Sequence, residues 1–322
     1  MQPHWGQFLG FAQVGFMGVT ILRAVGIPVP DTMPLFPASP GPYMRAWRRL
    51  RSDRTAMVML VYLGALIATV LLLPMAISID PFRQSLKDSL LAPGSTGHPL
   101  GTDQFGRDVL LRLIDGGRAS LSVGFAAVTI AAISGGLIGL MSGMRGGWMD
   151  SVLMRLVDVE LAFPGILLAL IIVTILGSGL EKVAIAVGIG GIPRFARIVR
   201  GSVLATRHEL FVEAARSIGA SEVRIAFAHI VPQVLGPVIT IATFGLATAI
   251  FSIAALSFLG LGAQPPAAEW GLMLSEARRY LRIAWWLAVF PGITVTSVVL
   301  AANLLGDAVR DALDPRLHSK AD

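Results

Sequence analysis

The chain has 322 residues, of which 54% are hydrophobic and 14% charged, with a mean hydropathy of +0.72 and no cysteine. That balance excludes a soluble globular domain, and the missing cysteine removes disulfides, thiolate nucleophiles and cysteine metal sites from consideration. A net charge of +6 does not point to nucleic acid, because the basic residues flank apolar runs instead of forming one patch.

Residues 1–43 carry a short apolar stretch, Phe8 to Leu22, with no basic residue ahead of it, which argues against a cleaved signal peptide. Prolines at 28, 30, 34, 37, 40 and 42 then predict an extended tail, read as an extension or a start-site artefact. From Met44 the sequence MRAWRRLRSDRTAMVML is a basic amphipathic lead-in to a first span, Thr55 to Ile79. The segment HPLGTDQFGRDVLLRL, His98 to Leu113, predicts a turn at Gly101, a cap at Thr102 or Asp103 and a short surface helix. Val109, Leu110, Leu113 and Ile114 would occupy one side of it, and Arg107, Asp108, Arg112 and Asp115 the other.

Further uncharged runs are Ala119 to Met144, Leu161 to Leu180 and Ile283 to Gly306, each of the about 20 residues that a spanning helix needs. Gly135, Gly136, Gly139 and Gly143 lie in the second span, as pore-lining or as packing positions. A fourth span, Val183 to Val203, is interrupted by Gly188, Gly190, Gly191 and Pro193, and its Arg194, Arg197 and Arg200 are placed to snorkel to an aqueous boundary. The fifth runs from about Gln233 to Leu261 and is followed by an irregular loop through Pro265 and Pro266. The fold class expected is an all-α membrane protein of six transmembrane helices. With 17 of the 26 Lys and Arg on one side, both termini are expected in the cytoplasm. The expected division is 1–54 lead-in, 55–118 first span and outer segment, 119–310 core and 311–322 tail.

Between the fourth and fifth spans, EAARSIGASEVRIAFAHIVP, Glu213 to Pro232, reads as a helix, a glycine break and a second helix. Glu209, Glu213 and Arg216 stand at i, i+4 and i+7, giving a charged, self-paired face, while Ala214 and Ala215 leave an adjacent face with little bulk. Gly219 suits the left-handed residue that ends a helix, and Ser221 suits the cap of the next. The result is a rigid elbow, on the side assigned to the cytoplasm.

An ion-coupled carrier would show acidic or histidine residues within its spans, and here every Asp and Glu lies at or beyond a span end. No phosphate-binding G-x-x-x-x-G-K-[ST] sequence is present, so the energy for transport has to come from a partner. The five histidines are scattered without metal-ligand spacing, and no catalytic constellation, cofactor site or metal site is found.

The Glu213–Pro232 spacing resembles the EAA loop of binding-protein-dependent ABC transporter permeases. His98 to Leu113, Val157 to Leu170, Ser257 to Gly292 and DAVRDALDPRL at Asp307 to Leu317 are similar to the C-type subunit of dipeptide and oligopeptide permeases, so the likeness runs from Met44 to Leu317. The resemblance implies a type I ABC importer transmembrane domain in the bacterial inner membrane. It would pair with a homologous second permease subunit, two ATPase subunits that bind ATP and Mg, and an extracytoplasmic substrate-binding protein. It also implies that Glu209, Glu213, Ala214, Ala215, Arg216, Gly219 and Pro232, within a loop of about 207–232, couple ATP hydrolysis to alternating access. The cargo implied is a dipeptide or short peptide, with nickel or glutathione as alternatives and an ion-coupled carrier as the more distant one.

Overall fold

The computed structural model describes residues 42–76 and 80–313. The extended tail expected before residue 42 and the closing sequence after residue 313 lie outside the described residues. The chain divides into two units, Met1–Met44 and Arg45–Asp322, and the helices of the second form the scaffold.

Helix α1 (Pro42–Ser52) is the basic lead-in, and α2 (Arg54–Ala76) is the first long apolar helix. Asp53 separates them and caps α2, its Oδ1 accepting from the amides of Thr55 at 2.8 Å and Ala56 at 3.2 Å. Helix α3 (Val109–Arg145) has 37 residues, about 55 Å at 1.5 Å per residue. A hydrocarbon layer about 30 Å thick cannot contain it. Its first turns therefore stand outside the membrane as a continuation of the span, instead of forming the separate surface helix expected. The cap is Asp108, which accepts from the amide of Leu111 at 3.0 Å, and not Thr102 or Asp103.

Helices α4 (Gly147–Leu161) and α5 (Gly165–Leu176) meet at a 90° bend across Ala162, Phe163 and Pro164. The third apolar run thus forms a helix of 12 residues, shorter than the whole run expected, because Pro164 cannot continue α4. Helix α6 (Leu180–Thr206) stays continuous through Gly188, Gly190, Gly191 and Pro193, contrary to the interruption expected. Gly188 and Gly191 pack on α3, where a Cβ would approach Ile130 Cβ and Ala131 Cβ to 2.9 and 2.8 Å. A Cβ at Gly135, Gly139 or Gly143 of α3 would approach Ile192 O, Ala196 O or Val203 Cβ of α6 to 2.6, 2.5 and 2.7 Å, so only glycine admits α6 this closely. Gly136, one position off that seam, faces open space.

The remaining elements are α7 (Leu210–Ser217), the single turn α8 (Glu222–Ile225), α9 (Val231–Phe258), α10 (Trp270–Ala277) and α11 (Trp286–Leu313). No strand occurs among the described residues. Four helical stretches (54–76, 109–145, 222–258 and 286–313) are long and apolar enough to cross a membrane, and the bent α4–α5 pair is a candidate fifth. Helix α6 has comparable length but carries Glu181, Lys182, Arg194, Arg197 and Arg200. The chain is a multi-pass helical membrane protein in which α9 packs on α3, α6 and α11, and α2 packs on α11. A hydrogen bond of 2.6 Å between Tyr62 and Ser297 joins that last pair.

Candidate functional site

The elbow forms as a Schellman motif. Helix α7 ends at Ile218, Gly219 takes φ +86°, the Gly219 amide donates to Arg216 O at 3.0 Å and the Ala220 amide to Ala215 O at 3.1 Å. Ser221 then caps α8, accepting from the Arg224 amide at 3.4 Å. A π-helical turn, Ala226–Ile230, follows and leads into α9, where Pro232 sits in the first turn. Proline there lacks an amide hydrogen and crowds the preceding turn, which a wider π turn relieves.

Two details differ from the sequence reading. Arg216 does not pair with Glu209 or Glu213; its Nε donates to Glu222 Oε1 at 2.8 Å, bridging the two arms of the elbow. Glu209 is the extended residue before α7, and its side chain caps nothing. Ala215, expected on an open face, is buried with Val212, Ile225, Ile230 and Val234 against Val199 and Val203 of α6. Ala214 and Glu213 are exposed. The buried side chains tie the elbow to the ends of α6 and α9, each large one contributing about 1.5–3 kcal/mol. The elbow is thus packed directly on those two helix ends.

The outward tip is more apolar than the motif announces. Leu210 and Ile218 are 81% and 87% exposed, and Val223 is 69% exposed, beside the charged Glu209, Glu213 and Arg216. Reading for charge and small residues missed Leu210 and Ile218; the signal available was apolar side chains directly flanking a short polar helix.

At the other end of α3, the two arginines read as part of an outward polar face are buried, while Asp108 and Asp115 are half-buried. Arg107 and Arg112 are 2% and 1% exposed. Arg107 Nε donates to Asp103 Oδ2 at 2.6 Å, and Arg112 Nη2 donates to Glu276 Oε2 at 3.0 Å. The α9–α11 loop supplies the cover. Trp270 Nε1 donates to Leu113 O at 2.9 Å and Trp286 Nε1 to Thr102 O at 3.1 Å. Glu269, fully buried, caps α10 by accepting from the amides of Gly271 and Leu272 at 3.0 and 2.9 Å, and from Ser120 Oγ at 3.0 Å. These contacts make the outer segment a clasp on the helix bundle.

Between these two ends, α3, α4, α5, α6 and α9 line an open cavity of about 430 Å³. Its lining is mostly apolar, with Phe163, Phe195 and Phe251, but it includes Glu160 and Arg194.

Long apolar helices, a capped outer clasp and an exposed elbow define an integral membrane protein. Residues 135–319 match the family described as binding-protein-dependent transport system inner membrane component, and residues 41–93 match the N-terminal TM domain of oligopeptide transport permease C. The chain belongs to that family, as a permease subunit of the peptide ABC importer type. It is 44% identical over 278 residues to the dipeptide transport system permease protein DppC of Alkalihalophilus pseudofirmus, covering 86% of this chain and 91% of that one. It is 44% identical over 297 residues to the glutathione transport system permease protein GsiD of Salmonella typhimurium, covering 92% and 96%. The di/tripeptide transport system permease protein DppC of Pseudomonas aeruginosa is 41% identical over 288 residues, covering 88% and 95%. Among solved structures, the MetNI methionine ABC transporter in an inward-facing conformation shares the fold, with a TM-score of 0.52 at 20% identity, covering 64% of this chain and 97% of that one.

Proposed function

We propose that this permease subunit carries dipeptides or short peptides across the bacterial inner membrane, with the elbow as its coupling element. The observation that carries the coupling role is the elbow's construction: an exposed helix tip, Leu210 to Ile218, fixed by buried Val212 and Ala215 to the ends of α6 and α9. A tip so mounted transmits force without bending. Glu213 supplies a polar contact, Ala214 admits a close surface, and Leu210 and Ile218 fill apolar depressions on an ATPase subunit. Arg216, Gly219 and Pro232 hold the angle between the arms, and the Glu209 carbonyl accepts from amides in the first turn of α7, leaving its side chain free for a polar contact. Closure of two ATPase subunits on ATP and Mg would then swing α6 and α9 together and switch the access of the pore.

In this reading ATP hydrolysis resides in those separate chains, a second homologous permease completes the pore, and an extracytoplasmic binding protein delivers the peptide. The six-span topology with both termini in the cytoplasm belongs to the same proposal, since it puts the elbow within reach of the ATPases and the outer clasp near the binding protein. Peptide is preferred because the similar proteins from A. pseudofirmus and P. aeruginosa are named for dipeptides and di/tripeptides; glutathione, itself a tripeptide, is the second reading through the relative from S. typhimurium.

The test is purification of the native complex, identification of its subunits by mass spectrometry, and uptake of radiolabelled dipeptide into proteoliposomes with binding protein and ATP. ATP-dependent uptake is expected. A chain that purifies without nucleotide-binding partners, or transports on an ion gradient alone, refutes the reading.

A further inference from the structure

The cavity between α4, α5, α6 and α9 lies beside an unfinished row of ion pairs. Arginines recur on α6 at 200, 197 and 194. Arg200 binds Asp150 of α4 through Nε–Oδ1 and Nη2–Oδ2, both 2.6 Å, and Arg197 Nη2 binds Asp158 Oδ1 at 2.6 Å. The next positions, Arg194 and Glu160, do not close in this way. Glu160 Oε1 is buried without a hydrogen-bond partner, while Arg194 is exposed and, among the described residues, makes no hydrogen bond or ion pair; both line the cavity.

An unpaired carboxylate oxygen out of water costs free energy unless something compensates it. At about 430 Å³ the space falls within the about 300–1,000 Å³ of small-ligand sites. We propose that Glu160 and Arg194 form a binding subsite in this subunit for a zwitterionic peptide with free ends, Glu160 accepting from its α-ammonium and Arg194 donating to its carboxylate. The inference rests on the peptide reading above and deepens it. Selectivity then has a component inside the membrane subunit: charge at the two ends, with apolar Phe163, Phe195 and Phe251 indifferent to the side chains between. Opposite charges held apart suit a ligand that carries both, whereas an uncharged solute would leave Glu160 unpaired.

The test uses the purified full complex in lipid nanodiscs without binding protein, and measures binding of alanyl-alanine, its N-acetyl form and its C-amide form. Wild type is expected to bind the free-ended dipeptide and to discriminate against both blocked forms. Glu160→Gln should weaken binding of the free form about tenfold and abolish discrimination against N-acetylation only; Arg194→Gln should do the same for C-amidation only. Assembly is read by co-purification, and Glu160→Asp, which keeps the charge, is expected to retain N-acetyl discrimination should Glu160→Gln fail to assemble. Uptake with binding protein is measured in parallel. Wild type that imports the dipeptide yet binds none by itself, or binds it equally in every variant, overturns the subsite and leaves the import reading standing. Wild type that neither binds nor imports it overturns both.

Discussion

Arg200 of α6 grips both carboxylate oxygens of Asp150 in α4, at 2.6 Å each, and Ser142 of α3 shares that carboxylate. One residue of α4 thus joins three helices near the C-terminal end of α6, from which the elbow departs. Asp150→Asn removes the charge-assisted bonds, and about 1–3 kcal/mol of stability should be lost. Thermal unfolding of the detergent-purified complex measures it, and an unchanged midpoint would show that the junction contributes nothing.

Gly219 adopts φ +86°, and a Cβ added there would meet no atom within 4 Å. Substitution therefore acts through backbone conformation alone. Gly219→Val should uncouple uptake from ATP hydrolysis while the subunit still inserts, since a β-branched residue strongly disfavours the left-handed region. Gly219→Asn, which visits that region readily, should keep most of the activity. Equal loss in both variants would count against the conformational account.

Ile218→Asp places a charge on a side chain that is 87% exposed. Its effect on the stability of the subunit should stay within about 0.5 kcal/mol, while co-purification of ATPase subunits drops sharply. Retained ATPase together with normal uptake would show that the apolar tip is not a contact.

The Glu222 carboxyl is held below its ordinary value of 4.5 by its hydrogen bonds from Arg216. A lowered folded-state value means that the pair contributes above the ordinary value and is lost as pH falls through the lowered one. A spin label introduced by Ser217→Cys should keep constant mobility from neutral pH down to the ordinary carboxyl value of 4.5 and loosen only below it, and Glu222→Gln should be loose throughout. The pair is exposed, so overall stability should hardly change.

Glu269→Gln leaves an amide nitrogen where one carboxylate oxygen now accepts from Gly271 or Leu272. One buried N–H then faces another donor, at a cost of about 1–3 kcal/mol. Limited proteolysis of the loop at 259–269 should accelerate in this variant, and resistance equal to wild type would remove Glu269 from the clasp.

Most spans were legible because an apolar run of spanning length leaves few alternatives in a bilayer, and the elbow was legible because a helix stop needs a particular residue at Gly219. The break at Ala162–Pro164 was hidden inside a run whose hydropathy does not change there. Arg216 was assigned a partner on its own helix by spacing, yet it binds Glu222 across the turn; the turn's geometry, not periodicity, sets that distance.

Composition and local pattern determined that this chain is helical, lies in a membrane, lacks its own phosphate-binding loop and carries one rigid elbow. These follow from interactions between residues near in sequence and from the solvent that each run of side chains requires. Tertiary structure decided that Arg107 and Arg112 are buried, that Ala215 faces inward, and that Glu160 and Arg194 share a cavity. Each of those depends on a partner brought from elsewhere in the chain, as Glu276 is brought to Arg112 across 164 positions. Burial of a charge is set by what covers it, and the covering segment is chosen only when the helices pack.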